Sequence, residues 1–108
     1  MKISEAQLKH SVAEYLEYGR NLGKWMSLRL NAGDYIETRG TTRRRVRGCP
    51  KGTSDFLVIK DGKAIFIELK SEKGRQSEDQ LDFQQLVYYH KATYHVIRSL
   101  EELQEIVG

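Results

Sequence analysis

The strongest structural signal in the sequence is a pair of apolar segments separated by Asp61-Gly62. Segments 56–60 and 63–69 are short and consist mainly of β-branched, aromatic and other large apolar residues. An Asp-Gly pair between two such segments is typical of a two-residue β-turn, so the sequence predicts a β-hairpin. Both segments are apolar on both faces, which predicts that the hairpin lies at the centre of a sheet covered on each side.

Three other segments have the pattern of α-helices. Each begins with a serine that is followed three residues later by Gln or Glu, which is the spacing of a capping box; the serines are Ser4, Ser77 and Ser99. The first helix is expected to end near 19–23, where glycines interrupt it, and the second is expected to end near His90. The third helix is expected to be short.

Two more strands and one long irregular segment complete the predicted domain. Strands are expected at 25–30 and 93–98. Segment 33–53 contains four glycines and the only proline of the chain, so we expect a loop that orders on binding or an irregular ribbon. Residues 1–108 are therefore predicted to form one α/β domain, with helices covering both faces of the sheet.

Composition excludes several classes of protein. The 108 residues are 39% hydrophobic and 31% charged, which is typical of a soluble globular domain. No apolar run approaches the roughly 18 residues of a membrane-spanning helix, and no secretory signal is evident, so we expect a cytoplasmic protein without a membrane partner. The single cysteine excludes an intramolecular disulfide and a multi-cysteine zinc site.

Positive charge is concentrated in one part of a chain whose net charge is only +3. Segment 39–51 contains six basic residues and no acidic residue: Arg39, Arg43, Arg44, Arg45, Arg47 and Lys51. Such an asymmetric distribution favours a polyanion-binding surface, while a solvated flexible loop would show the same pattern. Charge alone leaves these two interpretations open.

The predicted hairpin also brings two carboxylates together. With a two-residue turn, Asp55 falls opposite Glu68, and their Cβ atoms are expected to lie roughly 4.5–5.5 Å apart. Two carboxylates at the end of a buried hairpin repel each other and are poorly solvated, so the pair persists when one is protonated or when a cation lies between them. Lys70 follows two residues after Glu68, on the same face of the strand.

A third acid, Glu5, has a position on the first helix that allows two interpretations. At about 100° per residue it falls within the stripe that contains Leu8, Val12 and Leu16, where a buried carboxylate would need a partner. It is also an acid in the first turn of a helix, where the helix dipole stabilises negative charge.

Asp55, Glu68 and Lys70 form a D…E-x-K pattern, and the segments around them resemble a known family. Segments 51–56 (KGTSDF) and 66–70 (FIELK), together with 75–80 (RQSEDQ) and Phe83, are similar to the virus-type replication-repair nuclease (VRR-NUC) family of the PD-(D/E)XK superfamily. Further similar positions are Ser4-Glu5, Asn31, Gly33 and 96–102. One departure is Ser54, which stands where the family usually has a proline.

The resemblance implies a restriction-endonuclease-like fold, in which a mixed β-sheet core is flanked by helices and a central hairpin carries the acidic site. It also implies an endonuclease that depends on Mg²⁺ or Mn²⁺ and hydrolyses phosphodiester bonds. The implied metal ligands are Asp55, Glu68, the backbone carbonyl of Leu69, and Glu5. Lys70 would act in proton transfer and hold a phosphate oxygen, and Gln80 would reach towards the same site from its helix.

The implied partner is duplex or branched DNA, most plausibly a four-way junction, with a homodimer supplying two related active sites. The expected cell is a bacterium or a phage-infected host. The residues expected to contact DNA are Arg43, Arg44, Arg45, Arg47, Lys51 and Arg75. Three alternatives stay open: a DNA-binding module without catalysis, a nicking or restriction-type nuclease on linear duplex DNA, and a globular domain whose acids are only surface charges.

Overall fold

The computed structural model describes residues 3–108, so Met1 and Lys2 of the predicted domain lie outside the described residues. Three α-helices and six β-strands are formed. In chain order they are α1 (Glu5–Asn21), β1 (Met26–Arg29), β2 (Asp34–Arg39), β3 (Thr42–Arg47), β4 (Phe56–Lys60), β5 (Lys63–Leu69), α2 (Glu78–Tyr89), β6 (Thr93–Ile97) and α3 (Leu100–Val107).

The three predicted helix starts are confirmed. Ser4 and Ser77 each accept a hydrogen bond from the backbone N–H three residues later, and the side-chain oxygen of the glutamine at that position accepts one from the serine N–H. Ser99 likewise accepts from the N–H of Glu102. Each helix thus begins at the residue after its serine, because the serine satisfies an amide that the first turn leaves unpaired.

The main sheet has four strands in the order β1-β4-β5-β6. The hairpin β4–β5 occupies its two central positions, as the apolar pattern predicts, and its register runs from Lys60↔Lys63 to Phe56↔Ile67. Asp61 and Gly62 both have positive φ, as a type I′ turn requires. Because β6 pairs with β5 in parallel while the other pairs are antiparallel, the sheet is mixed.

The helices cover both faces of this sheet. Apolar residues of α1 and α3, including Leu8, Val12 and Leu103, form one buried cluster with Val58 and Ile67 of the central strands. On the opposite face, Phe83 of α2 makes an edge-to-face contact with Phe66 and a tilted contact with Tyr94. The protein is therefore an α/β fold in which three helices flank a mixed four-stranded sheet.

Segment 33–53 differs from its prediction as a loop or irregular ribbon. Residues 34–47 form a regular antiparallel hairpin, β2–β3, whose register runs from Asp34↔Arg47 to Arg39↔Thr42. The hairpin is a separate two-stranded sheet, and most of its residues are exposed on both faces. With neither face buried, the strands lack the alternation of apolar and polar residues that identifies a strand in a sequence.

The sequence predicts no membrane-spanning segment, and the structure tests this prediction for helices. Within residues 3–108, no helix combines the length and the apolar character that crossing a membrane requires.

Candidate active site

The register of the central hairpin brings Asp55 and Glu68 together at one end of β4 and β5. Asp55 directly precedes β4, and Glu68 follows Ile67, the partner of Phe56, by one residue. The backbone N–H of Leu69 donates to Asp55 Oδ2 at 2.8 Å, which fixes the Asp55 carboxylate against strand β5. The two acids therefore lie side by side, as the turn geometry predicts.

Glu68 is an unusual residue because its carboxyl group is buried. The side chain is only 3% exposed, and within the described residues Oε1 has no hydrogen-bond partner. Burial, a hydrogen bond to Asp55 and the negative charge of Asp55 together raise the pKa of Glu68 from 4.5 to about 9, against the opposing effect of Lys70. Without a cation, this shift favours the protonated form of the Glu68 carboxyl.

Gln80 reaches this carboxyl group from the first turn of α2. Its Oε1 accepts the N–H of Ser77 at 2.9 Å, and its Nε2 lies 3.4 Å from Glu68 Oε2. The capping role and the approach to the acidic site therefore coexist in one side chain. The serine fixes the orientation of the amide, so that its N–H₂ group points towards the carboxyl.

A glycine allows α2 to approach the site this closely. Gly52 has φ +93°, and a Cβ atom built there would lie 2.3 Å from the backbone oxygen of Asp79. Only glycine combines this backbone conformation with such a close contact. Gly52 thus sets the distance between the start of α2, which carries Gln80, and the segment that leads into Asp55.

Two lysines border the acidic pair, and only one of them was expected. Lys70 is half-buried directly after β5, and its charge lowers the pKa of Glu68, which opposes the effect of burial. Lys9 of α1 was not expected, yet its Nζ lies 3.4 Å from Asp55 Oδ1. Its spacing from Glu5 is the available sequence signal, because residues four apart share one face of a helix.

Glu5 does not join the two acids as the third member of a cluster. Its residue is exposed in the first turn, whereas Leu8, Val12 and Leu16 of the same helix are buried, so the first-turn interpretation fits the structure and the core-facing one does not. Its charge nevertheless contributes to raising the pKa of Glu68. In the part of the chain that the structure describes, no three His, Cys, Asp or Glu side chains lie close enough together to hold a metal ion.

Several of the basic residues expected to bind DNA have acidic neighbours. Glu37 binds both Arg39 and Arg44, with N–O distances of 3.0 and 3.1 Å. Arg45 Nε donates to Asp34 at 3.1 Å. The absence of nearby acids, inferred from segment 39–51, is therefore wrong, because strand pairing supplies acids from β2.

The other basic residues expected to contact DNA are exposed, and they differ in whether they form an ion pair. Lys51 lies 3.4 Å from Asp79 in an exposed ion pair. Arg43, Arg47 and Arg75 are exposed and form no ion pair among residues 3–108. Arg43 and Arg47 both lie on β3, four residues apart, so their side chains leave the same face of the hairpin. These two arginines are the free positive charges of the hairpin.

Two further residues shape the site without having been expected there. Tyr94 is 3% exposed, and burial together with the negative charge of Glu68 raises the pKa of its phenol. Arg98 Nη1 donates to the carbonyl oxygens of Ser71 and Gly74, at 2.6 and 2.8 Å. Arg98 therefore fixes the loop that directly follows Lys70.

Neither a protein-family model nor a curated protein matches the sequence. The site consists of the buried carboxyl group of Glu68 and the partly buried carboxylate of Asp55, with Lys9, Lys70 and the amide of Gln80 close to them.

Proposed function

We propose that this protein is an endonuclease that hydrolyses DNA phosphodiester bonds with the help of a divalent cation. The observation that carries the proposal is the buried carboxyl group of Glu68 beside Asp55, with Oε1 lacking any partner in the described residues. A native protein rarely leaves a buried polar atom unpaired, so such an atom suggests a binding or catalytic role. A cation is a partner that would satisfy both carboxylates at once.

The donor set at this site fits Mg²⁺ or Mn²⁺. Both ions prefer oxygen ligands, and Mg²⁺ is commonly held by one or two carboxylates, with substrate phosphates and water completing its shell. Asp55 and Glu68 would supply the carboxylates, and the family resemblance adds the carbonyl of Leu69. Glu5 stands outside this pair and would act through solvent. When bound, the cation would activate a water molecule and neutralise charge that develops on the phosphate.

The protein's own groups have separate roles in this proposal. Lys70 is half-buried beside Glu68 and would hold a phosphate oxygen or transfer a proton during hydrolysis. Gln80 keeps the Glu68 carboxyl in one orientation, because its own amide is fixed by Ser77. The N–H of Leu69 does the same for Asp55. Such fixed positions support catalysis because little reorganisation is needed during the reaction.

The proposal of DNA as the substrate is supported by the β2–β3 hairpin and by the family resemblance. The hairpin is a sheet separate from the main one and carries exposed arginines, and a two-stranded ribbon is one of the elements that the major groove of DNA admits. Arg43, Arg47 and Arg75 would contact phosphates. We further propose, from the resemblance, that the substrate is branched DNA such as a four-way junction and that a homodimer cuts both strands.

A cleavage assay tests the proposed function. Purified protein is incubated with linear, flap, splayed and four-way DNA in Mg²⁺, in Mn²⁺ or in EDTA. We expect cleavage only with a divalent cation, none with Asp55→Asn, and a loss of roughly 10²–10⁴-fold with Lys70→Ala, as for loss of a proton-transfer group. Lys63→Ala, at the exposed far end of the same strand, is the matched control and should cleave normally.

Two results would contradict the proposal. Wild-type protein that cleaves no form of DNA with either cation would exclude an endonuclease of this type. Undiminished cleavage by Asp55→Asn would place the reaction elsewhere, or in a contaminating enzyme.

A further inference from the structure

A groove extends from the Asp55 carboxylate to the base of the β2–β3 hairpin. Its volume is about 440 Å³, and its lining includes Lys9, Asn31, Tyr35, Thr53 and Asp55. Four parts of the chain meet there: helix α1, the segment that joins β1 to β2, the start of β2, and the segment that leads into β4. Since Asp55 belongs to the acidic pair, whatever occupies this groove lies directly beside that pair.

The size of the groove restricts its occupant. Pockets of roughly 300–1,000 Å³ bind small molecules or single building blocks of a polymer. At about 440 Å³, this groove has the size of a site for one nucleotide. A base that enters it would leave the stack of its duplex.

Lys9 places a positive charge on one wall of the groove. Its Nζ lies 3.4 Å from Asp55 Oδ1, and its side chain is 35% exposed, so solvent and ligands reach the ammonium group. A cation bound by Asp55 would compete with Lys9 for the same oxygen. The ammonium group would then be free for another anion close by, and a phosphate next to the site is such an anion.

Tyr35 supplies an aromatic ring to the lining of the same groove. It is 53% exposed, although a large aromatic side chain gains free energy from burial. An exposed ring beside a positive charge is the usual arrangement for binding single-stranded nucleic acid, in which bases stack on aromatic side chains and cations contact the backbone. The amide of Asn31, which also lines the groove, adds hydrogen-bonding capacity for a base edge.

We propose that this groove binds an unpaired nucleotide of DNA next to the scissile phosphate, with Tyr35 stacked on its base and Lys9 in contact with a phosphate. The inference rests on the proposed endonuclease function and specifies its substrate as DNA with an unpaired nucleotide at the point of cleavage. Splayed and flap DNA present such nucleotides, whereas a fully paired duplex must first unstack one.

A binding measurement without cleavage tests the groove. A short fluorescein-labelled oligothymidine is titrated with protein in EDTA, and fluorescence anisotropy gives its affinity. Tyr35→Ala should weaken binding about 5- to 150-fold, the range expected for loss of one stacked base, and Tyr35→Phe should bind like wild type. The exposed Tyr18 lies on α1 outside the groove, so Tyr18→Ala is the matched control and should not alter the affinity.

Lys9→Met gives a second, independent readout. This titration is made with Ca²⁺ in place of EDTA, so that a cation at Asp55 releases Lys9. Methionine keeps most of the apolar stem but removes the charge, so the dependence of log affinity on log salt concentration should flatten by about 0.7, the value for one contact to single-stranded DNA. Wild-type affinity and an unchanged salt dependence in both Tyr35→Ala and Lys9→Met would overturn the proposal.

Substrate preference separates this inference from the proposed function. In Mn²⁺, wild-type protein should cleave splayed DNA faster than fully paired DNA, and Tyr35→Ala should lose this preference while still cleaving. A wild-type protein that cleaves DNA, together with a Tyr35→Ala variant that keeps both affinity and preference, refutes the groove alone. A wild-type protein that binds oligothymidine through Tyr35 but cleaves no DNA refutes the endonuclease and retains the groove as a DNA-binding site.

Discussion

Replacing Glu68 with glutamine should change how the stability of the cation-free protein depends on pH. In the folded protein the pKa of Glu68 is raised to about 9 by burial and by its contact with Asp55, whereas the unfolded chain has the ordinary value of 4.5. Between these two values the folded state holds a proton that the unfolded state has released. Unfolding therefore releases a proton, and the free energy of unfolding falls as pH rises through this range.

The size of the effect follows from the number of protons. One proton released on unfolding lowers the free energy of unfolding by at most about 1.4 kcal/mol for each pH unit, or by as much as about 4 kcal/mol across three units. Glutamine has nearly the shape of a protonated glutamate, and its N–H₂ group retains a donor for Asp55. Glu68→Gln should thus fold, lack this pH dependence, and gain stability relative to wild type as pH rises.

Urea denaturation in EDTA measures the effect at several pH values between about 5 and 9, the interval in which the linkage acts. The only tryptophan, Trp25, is 7% exposed in the core, so its fluorescence reports unfolding. Glu105→Gln, which changes an exposed acid on α3, is the matched control and should follow the wild-type curve. Wild type and Glu68→Gln curves that stay parallel throughout this interval would show that Glu68 is ionised in the folded protein.

Two further predictions follow from the glycine beside α2 and from the β2–β3 hairpin. Gly52→Ala should lower the free energy of unfolding by more than Gly62→Ala. Both positions have positive φ, which costs about 1–2 kcal/mol for alanine, but only the Cβ at position 52 would meet a backbone oxygen. Equal losses in urea denaturation would contradict this prediction. Replacing Arg43 and Arg47 with alanine should flatten the salt dependence of duplex DNA binding by about 1.8, while Arg44→Ala, whose partner is Glu37, should change it less. Equal slopes for all these variants in anisotropy titrations would place the DNA away from the hairpin.

The central hairpin could be predicted residue by residue because two independent signals agree there. The Asp61-Gly62 turn fixes the register, and the apolar faces of both segments require the centre of a covered sheet. A slip of one residue would turn every side chain of β5 to the opposite face of the sheet. This is why the positions of Asp55 and Glu68 followed from the sequence. The three helix starts could also be predicted, because they depend only on local hydrogen bonds.

The β2–β3 hairpin could not be predicted in this way, because no buried face imposes an alternating pattern on it. The same limitation hid the ion pairs of Glu37, which depend on cross-strand neighbours rather than on neighbours in sequence. Lys9 was missed for a related reason. Its contact with Asp55 depends on how α1 packs against the sheet. Helical periodicity predicts which face of α1 a residue lies on, but not how far that residue lies from other elements.

The proposed function requires that a divalent cation take the place of the Glu68 proton beside Asp55. Calorimetric titration with Mn²⁺ at neutral pH, repeated in two buffers that differ in ionisation enthalpy, measures both the affinity and the number of protons released. We expect one site, close to one proton released for each ion bound, and loss of that site in Glu68→Gln. Binding that releases no proton, or that is unchanged in Glu68→Gln, would contradict the claim.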